Sequence, residues 1–177
     1  VSAFASAVLA LLIIVSGELQ SIFFWLLGSL GSASWKDVYA VCPYAVIGVA
    51  VAYFYSKDLN AMLFGEETAK TLGIDVEKTR LILLVISSLM AAAAVSVAGL
   101  VGFIGLIIPH FVRITVGPNH RLMVPLAGLS GMIFMVVADD IARTVLAPME
   151  LPIGIIMSII GAPFFLYLLR RRREGGR

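Results

Sequence analysis

Residues 81–112 read LILLVISSLMAAAAVSVAGLVGFIGLIIPHFV, without a single Asp, Glu, Lys or Arg. A helix needs about 20 apolar residues to cross the hydrocarbon core of a membrane, so this run is too long for one crossing and too short for two full ones. Its second half contains four residues that interrupt helices: Gly99, Gly102, Gly105 and Pro109. The run therefore predicts a full span at 81–98, a turn at 99–102 and a short helix from about 103 to 114.

The composition of the whole chain favours a membrane protein. Of the 177 residues, 60% are hydrophobic and 14% are charged, and the net charge is +2. Soluble domains are about 45–50% apolar and about 25% charged. These values argue against a soluble enzyme, a disordered segment and a nucleic-acid-binding protein. The single cysteine, Cys42, excludes an intrachain disulfide.

Other apolar segments complete the predicted fold. Four have the length of single crossings: 1–16, 38–56, 122–147 and 151–169. Residues 19–35 begin with the aromatic patch SIFFWLL and continue in Gly and Ser, which is typical of a half-length helix at the outer interface. The sequence predicts one all-α membrane domain over 1–177, with about six transmembrane helices, one of them short.

The basic residues predict which loops face the cytoplasm. Eleven of the thirteen lie in three segments, at 57–80, 113–121 and 170–177. Counting crossings puts all three on one face only if the short helix at 103–114 also connects the two faces. The positive-inside rule makes that face cytoplasmic, and we expect the terminal arginines to contact anionic membrane lipid.

The stretch 57–80 is the only sizeable polar connection, and residues 65–73 within it predict a two-turn helix. Charge placement and a terminal glycine favour this helix: Glu66, Glu67, Lys70 and Gly73. We expect Glu66 to pair with Lys70 four residues later, and Asp75 to cap the next span. Because so short a helix is unstable alone, it must pack on its own bundle or dock a cytoplasmic partner; the residues leave both open.

Several polar residues in apolar surroundings invite a catalytic or metal-binding interpretation. Asp139 and Asp140 are adjacent, so on a helix they point about 100° apart and cannot share a proton as an aspartyl protease requires. His110 and His120 have no Cys or carboxylate at ligand spacing, and we expect His120 to lie on the cytoplasmic surface. Arg143 lies near the outer helix end, where its spacing favours an ion pair with Asp139.

Six segments, in order along the chain, resemble one family: LFGEETAKTLG at 63–73, AGLVGFIGLIIPH at 98–110, GPNHR at 117–121, ADDIAR at 138–143, ELPIG at 150–154 and GAPFF at 161–165. Together they resemble the permeases of iron-siderophore, haem and vitamin B12 ABC importers. Those permeases are about twice as long, with ten spans, so the chain resembles their C-terminal half, beginning inside the fifth span. The uncharged start at Val1 is also what a piece of a longer chain would show.

The resemblance implies a translocation subunit that works by alternating access in the cell membrane. It further implies a homodimer bound to a dimer of ABC ATPase subunits and fed by a periplasmic or lipid-anchored substrate-binding protein. The chain carries no phosphate-binding loop, so we expect ATP and Mg to be held by the separate ATPase. We expect this chain to be no enzyme, to bind no cofactor or metal directly, and to bind no nucleic acid.

The resemblance also assigns roles to residues. It implies an ATPase-docking set in the coupling helices: Leu63, Gly65, Glu66, Glu67, Ala69, Lys70, Leu72 and Gly73. It implies that Arg143 meets a glutamate of the binding protein, with Asp139 orienting the guanidinium. Small residues of the last span are expected in packing at the dimer interface or pore, although core packing fits them too: Gly154, Ser158, Gly161 and Ala162. The short broken helix is marked by Gly102, Gly105, Pro109 and His110.

Two other interpretations remain open. An ion-coupled secondary transporter also uses broken helices, but it would need a carboxylate facing a cavity near the midplane. Asp139 and Asp140 are the candidates, and they are predicted to lie too near the outer end. The chain could also be a half-permease fragment that is inactive in transport.

Overall fold

A computed structural model describes residues 19–174, together with Val8, Leu11, Val15 and Gly17. Eight helices follow one another from Leu19: α1 Leu19–Leu27, α2 Trp35–Phe54, α3 Ser56–Met62, α4 Glu66–Thr71, α5 Val76–Ala98, α6 Ile104–Val116, α7 His120–Thr144 and α8 Ile153–Glu174. The part of the chain that the structure describes contains no strand. The predicted all-α fold is confirmed. The predicted first span, 1–16, falls largely outside the described residues, so the total of six crossings stays a prediction.

Three of the helices, α2, α5 and α7, are long and apolar enough to cross a membrane. The short helix predicted after Gly102 is present as α6, whose 13 residues reach only about 20 Å. Helix α1 ends at Leu27, where the Gly- and Ser-rich stretch predicted a loop. These three features of the predicted topology are confirmed.

The outer junction is a set of backbone hydrogen bonds that join the ends of α1, α5 and α8. The Trp25 carbonyl accepts from the Leu100 N–H at 3.2 Å, and the Ala98 carbonyl accepts from the Ser29 N–H at 2.9 Å. The Gly28 carbonyl accepts from the Ile153 N–H at 2.9 Å. Helix ends leave such groups without intrahelical partners, so here each helix end is completed by a neighbouring chain segment.

Three glycines allow the outer junction to close. Gly28 and Gly99 adopt positive φ angles of 75° and 69°, a region that side chains other than glycine rarely enter. A Cβ on Gly99 would overlap the Trp25 carbonyl, and one on Gly154 would overlap the Leu27 carbonyl. Backbone therefore lies directly on backbone at this end of the bundle.

The inner end of the bundle is formed by α3, α4 and the turn between α6 and α7. Asn60 of α3 bonds to Asn119 and His120 at the start of α7, nearly sixty residues later. Helix α6 leaves the outer junction at Gly102 and reaches this inner end at Gly117. It therefore connects the two ends, as the distribution of basic residues requires.

The structure differs from the prediction in the bounds of α7 and in the presence of α3. Helix α7 was expected over 122–147 but runs from His120 to Thr144, because the Asn119 side chain accepts the Arg121 N–H and starts the helix earlier. Helix α3, at the start of the polar connection 57–80, was not predicted. It forms because it packs against α7 and buries Ser56, contacts that a local pattern does not contain.

Gly161 offers a test of close packing in the core. A Cβ there would overlap the Phe103 ring, so Gly161→Ala should lower the free energy of unfolding by about 1–3 kcal/mol through overpacking. The matched control is Gly128→Ala on α7, where a Cβ meets nothing within 4 Å and the gain in helix propensity is up to about 1 kcal/mol. Thermal unfolding in one detergent measures both. Equal midpoints for the two variants would contradict the packing described here.

Candidate functional site

Residues 63–73, which we call the coupling segment, form a capped single-helix unit at the inner end. Glu66 and Glu67 lie in the first turn of α4 and Lys70 in the last, an arrangement that complements the helix dipole. Gly73 has a φ of 82°, and the N–H of Ile74 bonds to the Ala69 carbonyl at 3.1 Å. The glycine-terminated helix predicted from sequence is confirmed.

One side of the coupling segment rests on its own bundle. Ala69 is 0% exposed, and its helix α4 packs against α3 and α5. Asp75 caps α5 as predicted, its carboxylate accepting from the Lys78 N–H at 3.1 Å. The short helix is therefore held by tertiary packing, which is one of the two alternatives that the sequence left open.

The other side of the coupling segment is apolar and exposed. Phe64 is 79% exposed and Leu72 is 68% exposed, with Leu63 nearby also exposed. Exposed apolar side chains that lie together are typical of contact surfaces. The segment thus has both a seated face and a free apolar face.

An ion pair ties the coupling segment to α5. Arg80 of α5 pairs with Glu66 at the start of α4, and both side chains are about half exposed. Among the described residues Glu66 pairs with Arg80 and not with Lys70, so the pairing expected from helical spacing is wrong. Arg80 lies one turn into α5, where its long side chain reaches the first turn of α4. At this exposure the pair contributes at most about 1 kcal/mol to stability. Its main effect is to join the first turn of α4 to the first turns of α5.

A second connection at the inner end, the amide cluster, consists of Asn60, Asn119 and His120. Asn60 Nδ2 donates to Asn119 Oδ1 at 2.9 Å, and Asn60 Oδ1 accepts from the His120 backbone N–H at 2.8 Å. His120 is half-buried at this inner end of the bundle. Sequence reasoning missed this cluster because its partners are about sixty residues apart and no periodicity links them.

The outer end of α7 carries the charged pair that the sequence predicted. Arg143 Nε donates to Asp139 Oδ2 at 2.8 Å, four residues earlier, and the Arg143 side chain is 40% exposed. This bond uses Nε, and among the described residues no hydrogen bond of the Arg143 Nη groups is present. Glu150 lies near enough to add to the negative field around the guanidinium.

The residues that mark the short broken helix lie together along α6. Phe103 starts the helix with a φ of 64°, directly after Gly102. Pro109 lies inside α6. His110 is half-buried and meets the Phe164 ring edge to face at a centroid distance of 5.7 Å. Gly105 has open space where a side chain would be.

The small residues of α8 divide into two groups. Gly154 and Gly161 are buried within the chain, against Leu27 and Phe103, so these two serve internal packing. Ser158 and Ala162 are exposed. Only the second pair presents a small-residue surface outside the bundle.

The family model and similar curated proteins indicate the same family. The FecCD transport family matches residues 1–171. The cobalamin import system permease protein BtuC of Halobacterium salinarum is 49% identical, over 94% of this chain and 45% of that protein. The hemin transport system permease protein HmuU of Yersinia pestis is 37% identical, over 98% of this chain and 53% of that protein.

Solved structures agree with the sequence comparison. An ABC transporter of the metal-chelate type, in an inward-facing conformation, matches with a TM-score of 0.83 and 33% identity, over 96% of this chain and 56% of that one. The chain spans about half the length of the curated relatives it matches. Its helices are those of a multi-pass membrane protein, and the family is one of transport permeases, not of enzymes. The chain belongs to the FecCD transport family.

Proposed function

We propose that the protein containing this chain is the translocation subunit of an ABC importer that moves an iron chelate, haem or a corrinoid into the cell. The named substrates of its relatives support this range: cobalamin, hemin and Fe(3+)-citrate. Alternating access would be driven by ATP binding on a separate ATPase dimer. The observation that carries the proposal is the coupling segment, which is seated on the bundle through Ala69 and offers exposed apolar side chains at its tip.

The coupling segment would receive the ATPase. Phe64 and Leu72 would enter an apolar depression on that partner, and the acidic first turn at Glu66 and Glu67 would orient it. Because Ala69 is fully buried against neighbouring helices, the segment cannot shift without moving them. Closure of the ATPase dimer would therefore displace α5 directly.

Helix α5 would carry that displacement to the broken part of the bundle. It begins next to the Glu66–Arg80 pair and ends at Gly99, inside the outer junction. The turn from Gly99 to Gly102 then leads into the short α6. A movement along α5 would thus be converted into a rearrangement where the backbone is already irregular, which is where transporters place their gates.

The outer end would receive the substrate-binding protein. Arg143 is exposed, and the Asp139 carboxylate holds its guanidinium from one side. An acidic side chain of the binding protein could then form paired hydrogen bonds with the Nη groups, the geometry that arginine favours. The inner end of the bundle would thereby contact the ATPase, and the outer end would contact the binding protein.

The remaining proposed partners are a second copy of the protein and membrane lipid. Ser158 and Ala162 would let a helix of a second copy approach closely in a homodimer. The basic stretch at 170–177 would contact anionic lipid at the cytoplasmic face. The ion-coupled alternative gains no support, because within the described residues the carboxylates of α2, α5 and α7 lie near helix ends, at Asp37, Glu77, Asp139 and Asp140.

Charge reversal at Glu66 tests the connection to α5. Glu66→Arg places two like charges together and should lower substrate transported per ATP hydrolysed by about 2- to 5-fold, the range of an exposed ion pair of up to about 1 kcal/mol. The double variant Glu66→Arg with Arg80→Glu restores an ion pair in the reversed sense and should recover most of the coupling. Transport and hydrolysis are measured together in proteoliposomes of the complete importer. An unchanged ratio in the single variant would refute the assigned role.

Charge reversal at Arg143 tests the outer end separately. Arg143→Glu should weaken binding-protein affinity at least about tenfold, since breaking an interface charge pair costs about 2 kcal/mol or more, and should leave ATPase assembly intact. Asp139→Asn should have a smaller effect of about 2- to 5-fold, because it removes only the orienting bond. The matched control is Arg121→Glu, with the same change of charge at the inner end. If the control weakens the binding protein as much as Arg143→Glu does, the assignment is wrong.

A further inference from the structure

The amide cluster completes the first turn of α7 with a side chain from another element. The first N–H groups of a helix have no partner within it. Asn119 takes one of them, accepting from the Arg121 N–H at 3.0 Å, and Asn60 of α3 takes another, accepting from the His120 N–H at 2.8 Å. The start of α7 is therefore capped jointly by its own asparagine and by one from α3.

Each amide in the cluster has a fixed role. Asn119 Oδ1 accepts from both Arg121 and Asn60 Nδ2, so both of its lone pairs are used. Asn60 Oδ1 accepts the His120 backbone N–H and lies 3.0 Å from the His120 ring Nδ1, which bonds to it when that nitrogen carries the proton. Asn60 must therefore both donate and accept, whereas the Asn119 side chain only has to accept.

The cluster gives the coupling segment a second route into the bundle. Helix α3 packs along α7 and passes directly into the coupling segment, with the Gly65 N–H bonded to the Met62 carbonyl at 3.1 Å. Helix α7 has 25 residues, about 37 Å at 1.5 Å per residue. Arg143 lies in its last turn. One continuous helix, with Pro125 inside its second turn, thus runs from the amide cluster to the outer charged pair.

We propose that Asn60 and Asn119 are positioning residues that couple the two ends of the transporter through α7. Displacement of the coupling segment by the ATPase is passed through α3 and the amide cluster to the start of α7, and so to Arg143. This inference rests on the proposed function of the two ends. Because coupling between two binding sites is reciprocal, docking of the binding protein at Arg143 changes the equilibrium at the coupling segment by the same factor.

The roles of the two amides allow one chemical change to be made in two places with opposite expectations. Asn119→Asp keeps an acceptor for the Arg121 N–H and for Asn60 Nδ2, and aspartate is a good helix N-cap. Asn60→Asp removes the donor and sets a carboxylate oxygen against Asn119 Oδ1. The two variants share the change in size and charge. They differ in whether the bond between the side chains of Asn60 and Asn119 survives, since both keep an acceptor for the His120 N–H.

The measurement is the affinity of the binding protein for the complete permease–ATPase complex, with and without a non-hydrolysable ATP analogue. The ratio of the two affinities is the coupling factor, expected at about 5- to 150-fold in the unmodified complex. Asn119→Asp should keep this ratio within about 2-fold of the unmodified complex, and Asn60→Asp should bring it to within about 2-fold of unity. A merely structural role would lower yield or both affinities together and leave the ratio unmoved.

Ser96→Ala, which removes a bond within α5 (Oγ to the Ala93 carbonyl at 2.8 Å), serves as the control and should keep the ratio. If Asn60→Asp fails to assemble, Asn60→Leu, of similar size and without any of the contacts, replaces it with the same expectation. An unchanged ratio in the Asn60 variant, or an equal loss in both aspartate variants, overturns the inference while the proposed function stands. An unmodified complex that neither binds the binding protein nor responds to nucleotide overturns the proposed function.

Discussion

The backbone of a chain in lipid has no water to satisfy its hydrogen bonds, so any break in a helix at membrane depth needs protein partners for the freed groups. In the outer junction, the free backbone groups of neighbouring helix ends bond to one another. The carbonyls left over at the ends of α1 and α5 accept from N–H groups beyond each other's helix, and the start of α8 takes the Gly28 carbonyl. The contacts are main chain to main chain, which is why glycine occupies positions 28, 99 and 154. Because the backbone groups at these helix ends are bonded, α6 is tolerated although it is too short to cross a bilayer alone.

The inner end meets a different requirement, because its short helices must be held in place by contacts with other helices. A six-residue helix has no stability of its own. Helix α4 is held by burial of Ala69, by its glycine terminus and by the Glu66–Arg80 pair. Helix α3 is held by packing on α7 and by the amide cluster. The inner end is consequently polar and side-chain mediated, whereas the outer junction is made of backbone.

How much the sequence could predict depends on the range of the interactions involved. The spans, the short helix after Gly102 and the Asp139–Arg143 pair arise from composition, glycine placement and helical spacing, all of which are local. The Glu66–Lys70 pair failed because a longer-range competitor, Arg80, reaches Glu66 across the turn between two helices. Helix α3 and the Asn60–His120 contact were missed because they exist only once α7 has been brought alongside. Local patterns predict elements, but the polar contacts that join elements depend on the finished packing.

The two connections from the coupling segment differ in physical kind, and this difference suits them to different tasks. The Glu66–Arg80 pair joins two half-exposed charges, so dissolved salt weakens it. Its long side chains also allow it to change geometry easily. The amide cluster joins neutral, short side chains through directional bonds, which salt does not screen and which fail when donor and acceptor roles are exchanged. The ion pair is therefore the more compliant of these two polar connections, and the amide cluster is the stiffer one. Under the proposed function, a displacement of the coupling segment would reach α6 partly through the compliant ion pair, and it would reach the Asp139–Arg143 pair through the directional bonds of the amide cluster.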